Sequence, residues 1–433
     1  MRSGPPILGI IIFIVVLLLI DFYVFSGVKT IVSGYSVRTR RIVSWGYWAL
    51  SALLVAGLIA IPMMASFNRG FPRSFMTLIG VWVLLFVPKL VFMLFLLGED
   101  VYRILRGIFA AGRNAVMSNA EPMELFESRR KFISTIAAAT AAIPFLGILD
   151  GLTKGKFRYR VHRETIYIPD LPEAFDGFTI TQLSDIHVGS FDPDGDREDI
   201  RRGIELANAQ KSDLFVFTGD LVNNIADEMD PWIDEFKQLH APYGKYSILG
   251  NHDYGHYVTW PSKAAHEENM QKLFRTHEKL GFQLMKNEHT VIEKDGQKLY
   301  LLGVEDWGKG FMDFGDIDKA LAGVPQDAFK VLLSHDPSHF DEIISKHPTH
   351  IHLTLAGHTH GAQFGVEIPG VKWSPVQFRY PHWAGLYDEA RRYIYVNRGF
   401  GFLAMPARVG IWPEVTVLEL KKGNGPAKES VNA

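Results

Sequence analysis

The chain has 433 residues, a net charge of −2 and no cysteine. That charge balance offers no basic surface to nucleic acid, and the lack of cysteine excludes disulfides, thiolate metal ligands and a Cys nucleophile. The length calls for two or three domains, and the composition divides near Asp150, with all 16 histidines at or beyond His162.

The first 150 residues carry four long apolar runs, at residues 7–25, 45–67, 75–97 and 132–149. A helix of about 20 apolar residues crosses a hydrocarbon core roughly 30 Å thick, so each run predicts a span and residues 1–150 a transmembrane region. The fourth run, rich in Ala and Thr, gives the weakest span signal of the four. Loop charges set the orientation. Residues 27–44 hold Lys29, Arg38, Arg40 and Arg41 with no acid, residues 68–74 hold only Arg69 and Arg73, and residues 98–131 hold Arg103, Arg106, Arg113, Arg129, Arg130 and Lys131. The positive-inside rule then puts the first and third loops in the cytoplasm and everything after the fourth span outside a bacterial inner (cell) membrane. Lys154, Lys156, Arg158, Arg160 and Arg163 oppose that orientation, but long domains translocate largely regardless of charge.

Two further patterns lie in the third loop. Val101, Ile104, Leu105, Ile108 and Phe109 recur at helical spacing among arginines, which suits a helix on the membrane surface. The stretch Ser128-Arg129-Arg130-Lys131-Phe132-Ile133 before an apolar run looks like a twin-arginine export signal, or equally like a basic flank that holds the fourth helix.

Beyond residue 157 strand and helix patterns alternate. Residues 178–183, 214–217, 245–249, 330–333 and 352–355 read as short strands, 197–210 and 266–280 as helices, and 291–293 with 299–302 as a hairpin around Asp295-Gly296. Late strands are expected at 392–396 and 414–420. Residues 157–433 therefore form a layered α/β domain with a mixed sheet. Each core strand runs into a polar cluster: Ser184-Asp185-Ile186-His187, Thr218-Gly219-Asp220, Gly250-Asn251-His252-Asp253, Ser334-His335-Asp336 and Gly357-His358-Thr359-His360. Active sites of α/β sheets gather at the carboxyl ends of strands.

Asp185 with His187 and His358 with His360 are each two residues apart, so at a strand end each pair can present two ligands to one place. Carboxylate, imidazole and amide oxygen suit divalent Mn, Fe, Zn or Ni. Two such ions about 3.5–4 Å apart can share a carboxylate and a hydroxide, polarise phosphoryl oxygens and supply a nucleophile at neutral pH. A histidine beside them can stabilise or protonate the leaving oxygen.

The ordered set Asp-x-His, Gly-Asp, Gly-Asn-His-Asp, His and Gly-His-x-His resembles the calcineurin-like metallophosphoesterase signature, over roughly residues 159–420. The flanks at 166–189 and 386–420, with Asn397-Arg398-Gly399-Phe400-Gly401 and Trp412-Pro413-Glu414, look most like the bacterial membrane-associated branch. That branch includes enzymes similar to UDP-2,3-diacylglucosamine pyrophosphatases. The four-span region lies outside the usual family pattern. The resemblance implies two mixed sheets flanked by helices. It implies Asp185, His187, Asp220 and His360 around one of two divalent metal ions, and Asp220, Asn251, His335 and His358 around the other, with Asp220 bridging. His252 would serve the transition state or leaving group, and Asp253 would orient it.

Singly, Asp185 or Asp220 reads as a turn residue, and His252 as a buried hydrogen bonder. His339, His347, His350 and His352 read as surface or packing residues. Tyr254 and His256 are candidate substrate contacts, and Arg379, Arg398 and Arg408 candidate phosphate contacts. Trp232, Trp260, Trp307 and Trp373 either pack the domain or dip toward the bilayer. The expected activity is hydrolysis of a phosphoester or pyrophosphate bond in a phosphorylated small-molecule or lipid substrate by metal-activated hydroxide, with no nucleic-acid partner. The alternatives are a metal-binding, non-catalytic membrane scaffold and a cytoplasm-facing nucleotide phosphodiesterase.

Overall fold

The computed structural model describes residues 7–64, 72–116 and 127–425. The chain divides into two compact units, one of Met1–Ala65 with Ser74–Asp150 and the other of Ser66–Arg73 with Gly151–Ala433.

Among the described residues the first unit has four α-helices: α1 (Ile7–Ile31), α2 (Val37–Met64), α3 (Arg73–Val116) and α4 (Glu127–Thr153). All four are long and apolar enough to cross a membrane. Their apolar side chains stay largely exposed, as a lipid-facing helix requires. Lys89, inside the third apolar run, is 2.5 Å from Asp21, which also accepts the Tyr47 hydroxyl, so the charge within the span is paired. One expectation is corrected. The third span and the amphipathic segment at 101–109 are a single helix of 44 residues, with no break to start a separate surface helix. Helical periodicity marks faces and not ends, and Gly98-Glu99-Asp100, which could end one helix and cap the next, stays helical here. The arginine pair lies within α4, where Arg129 sits over the Tyr102 ring at 3.8 Å and Arg130 lies 3.9 Å from Asp100. Residues 65–67 of the second apolar run and 117–126 of the third loop are outside the described residues.

The second unit holds two six-stranded mixed sheets. The first sheet, in the order β1-β14-β2-β3-β4-β5, comprises β1 (Arg160–Ile168), β2 (Thr179–Leu183), β3 (Leu214–Phe217), β4 (Lys245–Ser247), β5 (Gln283–Leu284) and β14 (Glu414–Lys422). The second, in the order β12-β13-β9-β8-β7-β6, comprises β6 (Glu288–Lys294), β7 (Gln297–Gly303), β8 (Phe329–Leu333), β9 (Leu353–Ala356), β12 (Gly385–Glu389) and β13 (Arg392–Val396). A separate hairpin pairs β10 (Val366–Ile368) with β11 (Val371–Trp373).

Alternation along the strands builds the layers. Leu214 and Val216 join Leu299, Leu301, Val331, Leu333, Leu353 and Leu355 in one core between the sheets. The opposite face of the second sheet, through Leu302, Leu332 and Ile394, packs on α8 (Ile317–Leu321) and α9 (Pro337–Glu342). Helix α5 (Arg197–Asn208) buries Ile200, Gly203, Ile204 and Ala207 along one stripe. The short α6 (Ile233–Phe236) and the longer α7 (Lys263–Lys279) complete the helices, and Ser262 caps α7 by accepting the Ala265 N–H. Between β6 and β7, Asp295 and Gly296 both have positive φ, at 50° and 75°, as a two-residue type I′ turn demands.

Candidate metal centre

Strands β2, β3 and β4 run parallel in one sheet and β7, β8 and β9 in the other, so their carboxyl ends fall on one edge. Asp185 and His187 follow β2, Asp220 follows β3, and Asn251, His252 and Asp253 follow β4. From the other sheet His335 follows β8, and His358 and His360 follow β9. The structure brings all nine together, and each is buried or nearly so.

The side chains form two groups of possible metal ligands. Asp185, His187 and His360 are one, and Asp220, His335 and His358 the other, with donor atoms within 4.8 Å of one another in each. Asp220 Oδ2 lies 3.4 Å from His187 Nε2 and 3.2 Å from His335 Nε2, so it faces both. Asn251 Oδ1 is 2.9 Å from His358 Nδ1. His187 Nε2 and His360 Nε2 are buried without a hydrogen-bond partner. Orphaned imidazole nitrogens beside ionised carboxylates are what a divalent cation satisfies, and the hard, borderline donors exclude soft-metal chemistry.

The backbone is bent to aim these groups. Asp185, His187, Asp220, His358 and His360 all have φ between 49° and 70°, a left-handed conformation that costs an L-residue roughly 1–2 kcal/mol. Bonds between loops hold it: Asp185 N–H to Gly219 O at 2.9 Å, His187 N–H to Asp220 O at 3.1 Å, and Gly401 N–H to Asp185 O at 2.9 Å. The Asp185 carboxylate accepts the His358 N–H as well. Gly357 permits this approach, since a Cβ there would lie 1.9 Å from Ser184 Oγ and 2.3 Å from Asp185 Oδ2.

Electrostatics match the donor set. Burial opposes ionisation of Asp185 and Asp220, yet the neighbouring imidazoles outweigh it and hold both carboxyls below the usual range. Conversely, burial disfavours charge on His187 and His335, but the carboxylates draw protons onto both. The site thus favours positive charge at its centre. His335 presents Nε2 to it because Nδ1–H donates to Thr218 O at 2.7 Å.

His252 lies half-buried beside these groups, its ring centroid 4.9 Å from that of His187. Asp253 does not orient it. Both Asp253 oxygens accept backbone N–H groups, from Asp220, Leu221, Val222 and Gly250. The His252 ring is positioned instead by the Asn223 carbonyl, 2.7 Å from Nδ1, while the backbone N–H of His252 donates to Asp220 Oδ1 at 2.8 Å.

Other expected contacts resolve as framework. Arg398 pairs with Glu367 and Glu414, and Arg408 is buried among the carbonyls of His360, Arg398, Gly399 and Gly401. Tyr254 bonds Glu305 and the Asp306 N–H, while His256 faces Met312. His339 faces Ser334, His347 faces Asp318, and His352 faces Asp170 with His350 against its ring. Trp232 is buried, Trp260 donates to Gly255 O, and Trp307 packs on His339. Sequence reasoning missed Tyr380, whose hydroxyl is 2.8 Å from His358 Nε2 and 3.4 Å from Asp336 Oδ2.

Comparison with known proteins agrees with this geometry. Residues 178–362 match the family "Calcineurin-like phosphoesterase", and residues 6–156 match "Probable Calcineurin-like phosphoesterase, transmembrane domain". The uncharacterised metallophosphoesterase YkuE of Bacillus subtilis is 32% identical over 307 residues, 69% of this chain and 99% of that one. The chain belongs to the calcineurin-like metallophosphoesterases. This metallophosphoesterase is also 29% identical to the phosphodiesterase YaeI of Escherichia coli, over 68% of this chain and 99% of that one. A transmembrane protein with metallophosphoesterase domain from Danio rerio is 25% identical, over 71% of this chain and 67% of that one. The chain is a multi-pass membrane protein and a phosphoester hydrolase.

Proposed function

We propose that the metallophosphoesterase hydrolyses a phosphoester or pyrophosphate bond at a dinuclear centre, on a lipid-linked or envelope substrate at the outer face of a bacterial inner membrane. The observation that carries this reading is the place of Asp220, facing His187 on one side and His335 on the other. Asp185, His187 and His360 would hold one ion, Asn251, His335 and His358 the other, and Asp220 would bridge. Divalent ions bound there would polarise the phosphoryl oxygens and lower the pKa of water to give the nucleophile.

The chain's own groups then do the rest. The left-handed loops fix the ligands before substrate arrives, so little reorganisation accompanies binding. His252, held through Nδ1 by the Asn223 carbonyl, would bond the leaving oxygen through Nε2. Tyr380, through His358, fixes the ring that faces Asn251. The lipid-linked substrate follows from the short tether. Helix α4 ends at Thr153 and β1 begins at Arg160, so few residues separate a span from the catalytic unit. The outward orientation rests on the loop charges.

The test uses the full chain in detergent beside Asp220→Ala, with Mn, Zn, Fe and Ni supplied in turn. Two metals per chain and bis-p-nitrophenyl phosphate turnover lost in the variant are expected. A metal-free chain, or turnover that survives the substitution, sinks the reading. A reporter fused after residue 157 tests the orientation.

A further inference from the structure

The β10–β11 hairpin is built inside out. Its register pairs Val366 with Trp373 and Ile368 with Val371, so these four side chains share one face, and Glu367 with Lys372 the other. All four apolar residues are exposed, Ile368 at 59%. The charged pair points back at the domain. Glu367 accepts two N–H groups from the buried Arg398, at 2.9 and 2.5 Å, and the Lys372 ammonium lies 5.0 Å over the Trp383 ring and donates to Ala384 O. A hairpin facing water turns its charges out, and a slip of one residue would do so here. The pairing with Arg398 fixes the opposite register.

The apolar surface continues toward the metal-ligand cluster. After β11 the chain turns through Pro375–Phe378, and Phe378 is 82% exposed, with the Arg379 cation next in sequence. Arg379 donates to Lys309 O at 2.5 Å, in the loop that carries exposed Phe311. Tyr380 then reaches His358, and the Phe311 ring lies 5.3 Å from the same imidazole. One short run of chain thus joins the outward face to the site.

Single exposed apolar residues are ordinary, whereas a paired Val-Ile-Val-Trp face extended by Phe and Arg is not. Trp and Phe mixed with Arg is the composition of a membrane interface. The chain itself supplies a bilayer: residues 154–159 between α4 and β1 reach about 20 Å at most. We propose that the β10–β11 face, with Phe378, lies in the interfacial layer of that bilayer and holds the metal-ligand cluster at the depth of lipid phosphates. What is hydrolysed there rests on the proposed function; the insertion does not.

Because the chain has no cysteine, one introduced thiol reports one position. Full-length Ile368→Cys, labelled with a polarity-sensitive fluorophore, is reconstituted in phosphatidylcholine–phosphatidylglycerol vesicles beside Asp295→Cys in the exposed β6–β7 turn. The Ile368 label is expected to emit to the blue and to be quenched at least about threefold more than the Asp295 label by spin-labelled phosphatidylcholine. Equal lipid quenching at the two positions overturns the proposal. So does a blue-shifted label that lipid quenchers miss and that self-quenches as protein density rises, which would mean contact between copies. In the Ile368→Asp/Val371→Asp chain, hydrolysis of a vesicle-embedded p-nitrophenyl phospholipid should fall roughly tenfold, with bis-p-nitrophenyl phosphate turnover unchanged. Unchanged hydrolysis of both substrates counts against the proposal. Failure of the enzymatic reading shows separately, as no turnover by the unsubstituted chain, and leaves the labelling result standing.

Discussion

The carboxylate of Asp253 accepts the backbone N–H of Asp220 at 2.8 Å. Its two oxygens also take the N–H groups of Leu221, Val222 and Gly250, so one buried side chain ties the loop after β3 to the loop after β4. In Asp253→Asn the amide end would face donors and lose two of these bonds. Metal affinity should fall roughly 10- to 100-fold, with turnover recovering in excess metal. Dialysis against a graded chelator reads this. Unchanged affinity with lost turnover would instead give Asp253 a role on the substrate.

His252 bonds the Asn223 carbonyl and the Asp220 carboxylate without belonging to either ligand group. Burial pushes its ring down to about 4, against the pull of Asp220, so it is neutral near pH 7 until a bound phosphate raises it. A p-nitrophenolate leaves without a proton, whereas an alkoxide does not. His252→Ala should therefore slow an alkyl phosphodiester by about 10²–10⁴ and an aryl ester much less, with metal content unchanged. Equal losses on both substrates would make the residue a positioning group.

Much of this was legible because strand periodicity and the polar clusters coincide. Strands β3 and β13 fall on the expected residues, and the Asp185, Asp220, His335 and His358 loops all lie at carboxyl ends. What stayed hidden has physical causes. The four donors to Asp253 are backbone N–H groups, which leave no mark in a sequence. Tyr380 and Asn223 lie on loops whose path depends on tertiary packing, so no spacing announces them. Strands β10 and β11 alternate as strands should, but with the polarity reversed, and Trp373 gave no indication of which way it faces. The long α3 escaped because the pattern at 101–109 marks its face and says nothing of its start.

Arg398 and Glu414 predict a pH window. Burial would raise the Glu414 carboxyl, but Arg398 at 2.6 Å outweighs it, aided by Thr416 and Tyr395, and holds the group at about 2. A carboxyl depressed on folding stabilises the native state above its unfolded value and loses that contribution as pH falls toward the folded one. Stability should therefore decline from about pH 4.5 toward 2 through this group. Arg398→Met would strand a buried carboxylate and cost about 3–5 kcal/mol at neutral pH. Glu414 would then rise, moving the acid decline upward. Denaturant midpoints taken across pH would show this, and a flat comparison would exclude the pair from the stability of the domain.

Gly357 gives the sharpest steric test. A methyl group at this position would overlap Ser184 Oγ and Asp185 Oδ2, and Asp185 is itself pinned by the His358 N–H and by the Gly401 N–H on its carbonyl. Neither neighbour is the free end of a flexible side chain. The loop carrying His358 and His360 must retreat instead, and a shift of even 1 Å there would spoil the facing of Asp185 and His360, now 3.3 Å apart. Gly357→Ala should cost roughly 1–3 kcal/mol and, on the proposed dinuclear reading, remove the ion that Asp185, His187 and His360 would hold before the other. Metal counting on the purified variant should then find about one ion per chain with turnover abolished. Two ions and normal turnover would mean that the loops yield more easily than their left-handed backbone and interlocking bonds imply.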